Sequence, residues 1–446
     1  NSHLCMKWRT KDKVEELLML EKIFKFQERN TNARIEITAG ITTFMTMAYI
    51  LVLQPMFMGA AGMEVGAVTV VTAILSAIFS IFMGIYTNLP FALAPAMGSN
   101  AFFAYTLVAG GIVNWETGLG MVFISGVVFI LLTVLGLREV IVNLIPKNIK
   151  YAIGVAVGFY IVLLGFKNGG LMSLEGGSIA MGDVKSPGVL LTIIGLVIVV
   201  FLQARKVKGG VLVAIILTTI IGIPMGITNV PESLVTMPPS IEPIAFKLDI
   251  MAALKWSFFP LMFTFFVGDF FSTLGTLLGV SAKANLLDEE GNLPNINKPF
   301  LVDAIATVVG ALFGSTVVTT YIESAAGVEE GGRTGFTAVV AGICFALTMF
   351  ITPIAGMIPS EATAPALILI GLLMITGVKN IEFNDFTEAF PAFATIVFTA
   401  FTSSISNGIS IGIISYMVTK VMAGRFKDLN WGIYILSIPL IAYFII

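Results

Sequence analysis

Asp269, Glu323 and Asn100 are polar residues set inside long apolar runs: FFVGDFFSTLGT (265–276), TTYIESAAGVEEGG (319–332) and FALAPAMGSNAFFAY (91–105). A charged carboxylate at the centre of a bilayer costs about 3 kcal/mol even on a mild insertion scale, so such acids face a bundle interior or a wet path. Asp303 is a third acid, nearer the end of its run. For Asp269 a structural role competes, since polar side chains also glue membrane helices together. It competes less for Glu323, which stands where a half-helix should begin. There the free N–H groups and the positive dipole end favour an anion. No Lys or Arg falls within an apolar core; Arg333 is at a boundary. Sulfate, phosphate or an organic acid would call for fixed positive charge. Carboxylates and an amide instead accept hydrogen bonds from the N–H groups of a neutral or cationic ligand, and the acids can also carry protons. A flat heterocycle with N–H donors, moved together with a proton, fits these groups.

Other signals are weaker. Phe102-Phe103, Phe265-Phe266 and Phe270-Phe271 could stack on an aromatic ligand, although such rings more often pack in the core or face lipid. GVEEGGRTG (327–335) lacks the Lys-Ser/Thr of a phosphate loop and reads as the inner end of the half-helix. His3 is the single histidine, and Cys5 and Cys344 lie far apart, so no disulfide framework, metal site or cofactor is expected. An intramembrane enzyme would need such clusters. Net charge is −2, and no nucleic-acid partner is expected.

These residues must be positioned by membrane spans. The chain is 57% hydrophobic and only 12% charged, where a soluble domain carries about a quarter charged residues. Apolar runs fall at 35–58, 66–87, 91–110, 117–137, 150–166, 187–203, 209–227, 252–280, 299–315, 316–332, 334–357, 362–378, 387–403 and 405–422. A further apolar stretch, 430–446, either spans or lies in the interface, and VEELLMLEKIFKF (14–26) reads as an amphipathic helix on the membrane surface. With the N-terminus cytoplasmic, 21 of the 25 Lys and Arg fall on the inner side. Only Lys167, Lys185, Lys247 and Lys255 lie outside, which agrees with the positive-inside rule. No cleavable signal pattern precedes the first span.

Two segments read as a short extended piece followed by a half-helix: the third, with Pro95, Gly98 and Asn100, and the tenth, with the β-branched run Thr316–Thr320 before Glu323. A pair of interrupted segments, one per half, points to a transporter site. LLGFKN (163–168) and ITGVKN (375–380) recur seven spans apart, as do GSNAFFA (98–104) and YIESAAG (321–327), which aligns Asn100 with Glu323. An odd repeat inverts the second half. The expected fold is an all-α polytopic membrane protein of fourteen transmembrane segments in two inverted seven-helix repeats, with short strands and half-helices in segments 3 and 10.

IEITAGITTFMTMAYILVLQP (35–55), PAMGSNAFFAY (95–105), FFVGDFFSTLGTLLG (265–279) and TTYIESAAGVEEGGRTG (319–335) resemble the AzgA-like purine permease branch of the nucleobase:cation symporter-2 family, from about residue 22 onward. The resemblance implies a proton-coupled purine nucleobase importer of the cytoplasmic membrane, working as a homodimer in an elevator-type cycle. It implies a core domain at 35–137 and 251–357 and a gate domain at 138–250 and 358–422, flanked by an N-terminal segment (1–34) and a C-terminal one (423–446). It places substrate binding at Asn100, Asp269 and Glu323, with Gly98 beside Asn100. Backbone N–H groups around Ile322 and Ser324 would assist, Asp269 and Glu323 would carry the proton, and Ser272, Thr273, Phe266 and Thr43 are further lining candidates. In one departure Ser272 stands where the branch has a second aspartate. A guanine edge, with two adjacent donors, suits a carboxylate in a bidentate bond and hypoxanthine keeps one of them, whereas adenine would require a protonated acid. An uncoupled facilitator on the same fold is the competing expectation, and proton and sodium coupling remain open alternatives.

Overall fold

The computed structural model describes residues 20–136, 145–175, 178–231, 233, 235–288, 293–402 and 404–445. Residues 14–19 of the amphipathic stretch, with His3 and Cys5, lie outside them, and residues 20–24 are helical. Among the described residues nine helical spans of at least 18 residues are apolar enough to cross a bilayer.

Segment 1 is two helices, α1 (Ala33–Met47) and α2 (Ile50–Ala60), parted at Ala48 and Tyr49. Just past the break, Leu51 and Val52 bond three residues back, to the carbonyls of Ala48 and Tyr49. This tightening lies one turn ahead of Pro55, whose ring crowds the carbonyl four residues before it. Segment 2 is α3 (Val65–Thr87). Segment 3 is strand β1 (Leu93–Pro95), then α4 (Met97–Ala101), which continues as a π-helix over Phe102–Val108. Segments 4 and 5 are α5 (Trp115–Val134) and α6 (Lys147–Asn168). A hairpin, β2 (Met172–Glu175) and β3 (Ser178–Met181), leads to α7 (Pro187–Ala204) and α8 (Gly210–Gly222). The second half runs α9 (Phe259–Lys283), α10 (Asn297–Leu312), strand β4 (Val318–Thr320), α11 (Ser324–Glu329), α12 (Gly335–Leu347), α13 (Ser360–Ile375), α14 (Phe386–Thr402) and α15 (Ile405–Met422).

The packing shows the repeat directly. Helix α3 packs on α12, and α5 on α10; α1 packs on α12, and α9 on α5; α7 packs on α8, and α14 on α15. Each pair becomes its companion when every segment number is moved by seven. Three contacts map onto themselves, α6 with α13, α3 with α10 and β1 with β4. In the first of these the backbones touch: a Cβ on Gly158 would stand 2.8 Å from the carbonyl oxygen of Gly371, and one on Gly371 would stand 2.6 Å from that of Gly158. Small residues permit this approach between membrane helices.

The stretch 430–446 forms a helix, α16 (Trp431–Ile445). It packs along α15. Its Pro439 and Ala442 line a cleft with Trp256–Leu261, and the first turn of α15 reaches the same place through Ser406 and the Pro260 carbonyl (3.4 Å). The helix therefore runs back along α15 toward that helix's first turn. At its near end Lys420, 2% exposed, is neutralised by Glu388 at 2.8 Å and Asp428 at 3.3 Å.

Glu36 on α1 is fully buried and caps the start of α12. Its carboxylate accepts the N–H groups of Arg333 (2.9 Å), Thr334 (3.3 Å) and Thr337 (3.2 Å) and the Thr337 hydroxyl (2.5 Å). Hydrogen bonds to a charged group contribute about 1.5–3 kcal/mol each, and stranding buried donors costs about as much. Glu36→Ala should therefore lower the thermal-aggregation midpoint of the detergent-purified chain, and Glu36→Gln, which keeps an acceptor, should lower it less.

Candidate functional site

The two interrupted segments meet at the middle of the molecule. Val317-Val318-Thr319-Thr320 is β-branched and prefers extended backbone, and Pro95 ends its partner because it has no N–H to donate. The strands run antiparallel with Leu93 opposite Thr320 and Pro95 opposite Val318. Their flanks are satisfied locally: Ala96 N–H bonds the Val317 carbonyl (2.8 Å), Tyr321 N–H the Ala92 carbonyl (3.0 Å), and Ala92 N–H the Ser324 hydroxyl (3.1 Å). The Tyr321 hydroxyl donates to the Pro95 carbonyl.

Glu323 stands at the turn between β4 and α11 and is half-buried. Its Oε1 accepts the Tyr49 hydroxyl at 2.5 Å, and the Thr46 hydroxyl lies 3.4 Å from its carbonyl oxygen. Ile322, beside it, is 61% exposed. The Ser324 N–H is spent within the turn, on the Tyr321 carbonyl at 3.2 Å.

Asp269 belongs to a second network. It is buried, and its Oδ2 accepts the Thr307 hydroxyl at 2.8 Å. The Asp303 carboxyl neighbours the Asp269 carboxyl, and Asp269 Oδ1 has no hydrogen-bond partner. Asp303 itself is held from all sides. Oδ1 accepts the Thr320 N–H (2.7 Å) and hydroxyl (2.8 Å), and Oδ2 accepts the hydroxyls of Thr273 (2.7 Å) and Thr319 (3.4 Å). Asp269 and Glu323 share no hydrogen bond among the described residues; β4 and Tyr321 lie between their networks.

The remaining sequence candidates divide. Thr273 joins the acid pair, with its hydroxyl also 2.7 Å from that of Thr319. Asn100 is fully buried and braces the strand rather than Glu323: its amide oxygen accepts the Thr316 hydroxyl, and its Nδ2 has no hydrogen-bond partner. In the fold Gly98, not Asn100, matches Glu323, each being the third residue after its strand. Phe266 turns inward, with its ring against Phe129 and Phe270. Thr43 is buried where α1 meets α11. Ser272 is exposed and lies on one face of α9 with Gly268, Gly275 and Gly279. A Cβ on Gly275 or Gly279 would meet nothing within 4 Å, and one on Gly268 only the Ser99 hydroxyl at 3.9 Å. Helix α9 also packs against α11, and Gly268 on the open face looks toward Ser99 of the first half-helix. Tyr49 and Thr307 were not singled out from the sequence. Tyr49 sits in a motif quoted above, yet nothing in the hydrophobic pattern marks the helix break that carries it.

Residues 34–411 match the sequence profile of a permease family, the nucleobase:cation symporter-2 family. The chain is 41% identical to the adenine permease AdeQ of Escherichia coli over 94% of each protein. It is 37% identical to the guanine/hypoxanthine permease PbuG of Bacillus subtilis, over 96% of this chain and 99% of that one. Among solved structures, the transmembrane domain of a cyanobacterial bicarbonate transporter, BicA, superposes with a TM-score of 0.62 at 18% identity, covering 85% of this chain and 97% of that domain. That likeness is one of fold, the two inverted seven-segment repeats.

Gly98 faces helix α6: a Cβ there would stand 2.6 Å from Cγ1 of Val157, a β-branched residue with little χ1 freedom in a helix. Gly98→Ala should lower the thermal midpoint, and Val157→Ala in the same chain should restore it. A double variant no better than Gly98→Ala would show that the glycine is needed for something other than this contact.

Proposed function

The chain belongs to this permease family, and on that footing we propose that it imports purine nucleobases with a proton across the cytoplasmic membrane, its N-terminus inside. The observation that carries the reading is Glu323, a half-buried acid at the tip of the second half-helix. A carboxylate there already complements the helix dipole and repels anions, so the fold's bicarbonate-transporting relative is a poor guide to cargo. What it does accept is an N–H donor on a neutral ring, and the names of the relatives point to the same class of cargo.

With the Tyr49 hydroxyl on one lone pair of Oε1, the Glu323 carboxylate keeps acceptor sites on both oxygens. A guanine edge can use two of them, and hypoxanthine and the amino group of adenine each need one. Adenine therefore needs no protonated glutamic acid here. Two neighbouring buried carboxyls share a proton more cheaply than both ionise, so Asp269 with Asp303 holds the coupled proton. Segments 1–4 and 8–11 form a core that travels past a gate of segments 5–7 and 12–14, and the gate joins two copies into a dimer.

Purified protein in proteoliposomes tests this. Purine uptake should alkalinise the outside, and Glu323→Gln should raise KM by about 10- to 100-fold, the value of a hydrogen bond to a charged group. Asp269→Asn should leave purine binding in place and break proton movement. Uptake that follows a sodium gradient and ignores pH overturns the coupling; flux without ion movement makes the protein a facilitator; no nucleobase flux overturns the cargo.

A further inference from the structure

We infer that Tyr49 is a positioning residue for the cargo: its phenol clamps one oxygen of Glu323 and so aims the carboxylate at the N–H edge of the carried ring. This rests on the reading of Glu323 given above. The helix break at Ala48-Tyr49 delivers the phenol to Oε1 at 2.5 Å, and Tyr49 is only 2% exposed, so the ring has no alternative place to go. The position of the break is itself fixed. A Cβ on Gly327 of α11 would collide with the Thr43 hydroxyl and stand 2.7 Å from the Ala39 carbonyl of α1, so the two helices meet at backbone distance. The Thr46 hydroxyl beside the Glu323 carbonyl makes a second contact from the same segment. Segment 1 thus addresses both the carboxylate and the carbonyl of one residue.

The chemical consequence follows from the side chain. A glutamate has three torsions to freeze, and an unpinned one gives up rotamer freedom, on the order of 1 kcal/mol or more, when a ligand fixes it. A phenol bonded beforehand removes that cost from binding. It takes up only one of about four acceptor sites, so the held carboxylate still offers lone pairs on both oxygens to the ligand. That arrangement suits a neutral heterocycle presenting an N–H, whichever purine it belongs to.

Tyr49→Phe in the full chain, assayed in proteoliposomes with radiolabelled adenine and hypoxanthine, tests the inference. KM for both should rise by about 5- to 30-fold, the cost of the side-chain freedom that the ligand must then freeze, while Vmax stays within about twofold and the thermal midpoint is unchanged. An unchanged KM, a loss confined to Vmax, or a fall in the thermal midpoint that parallels the loss of uptake each overturns it. Glu323→Gln, assayed alongside, separates the two levels. A normal KM in that variant removes Glu323 from the site and with it the reading beneath. An impaired Glu323→Gln beside a normal Tyr49→Phe sinks only the role given to the tyrosine.

Discussion

Backbone N–H and carbonyl groups in a bilayer have no water to turn to, so a broken helix survives only if its freed groups find partners inside the protein. The crossing of β1 and β4 answers that demand. Each interrupted segment supplies the partners that the other lacks, and Ser324 caps what remains. Everything at the candidate site hangs from this crossing. It sets Glu323 at a turn, lines up Thr319 and Thr320 for Asp303, and puts Thr316 over Asn100. Neither half could build it alone.

The acids show how the same crossing divides labour. Asp303 grips the end of β4 through three donors and α9 through a fourth, so it is as much a fastener of the strand as an ionisable group. Asp269 has one hydroxyl and a second carboxyl for company. Glu323 has a phenol and an opening. Three carboxyl groups of similar intrinsic chemistry thus sit in three environments, and it is environment that separates a fastener, a proton holder and a ligand.

Much of this was legible in the residues. Runs of apolar side chains marked the segments, because nothing else satisfies hydrocarbon over that length. Pro95, Gly98 and the β-branched stretch before Tyr321 marked the two interruptions, and Glu323 was found where its half-helix starts. The partners were not legible. Thr307 is 38 residues from Asp269 and Tyr49 is 274 from Glu323, and no periodicity within one segment reports on contacts between two. The letter match of Asn100 with Glu323 missed by two residues, enough on a half-helix to turn a side chain from the opening to the interior. Phe266 was ambiguous for the opposite reason: an aromatic ring reads alike whether it faces a ligand or Phe129.

The touching backbones of Gly158 and Gly371 carry a mechanical meaning. Where two helices meet through flexible side chains, each can rock by shuffling rotamers; where main chain lies on main chain, there is no cushion to compress. Helices α6 and α13 therefore act as one thick strut. Val157, the residue that faces Gly98, is the immediate neighbour of Gly158 on that strut, so the third segment bears on the stiffest part of the molecule.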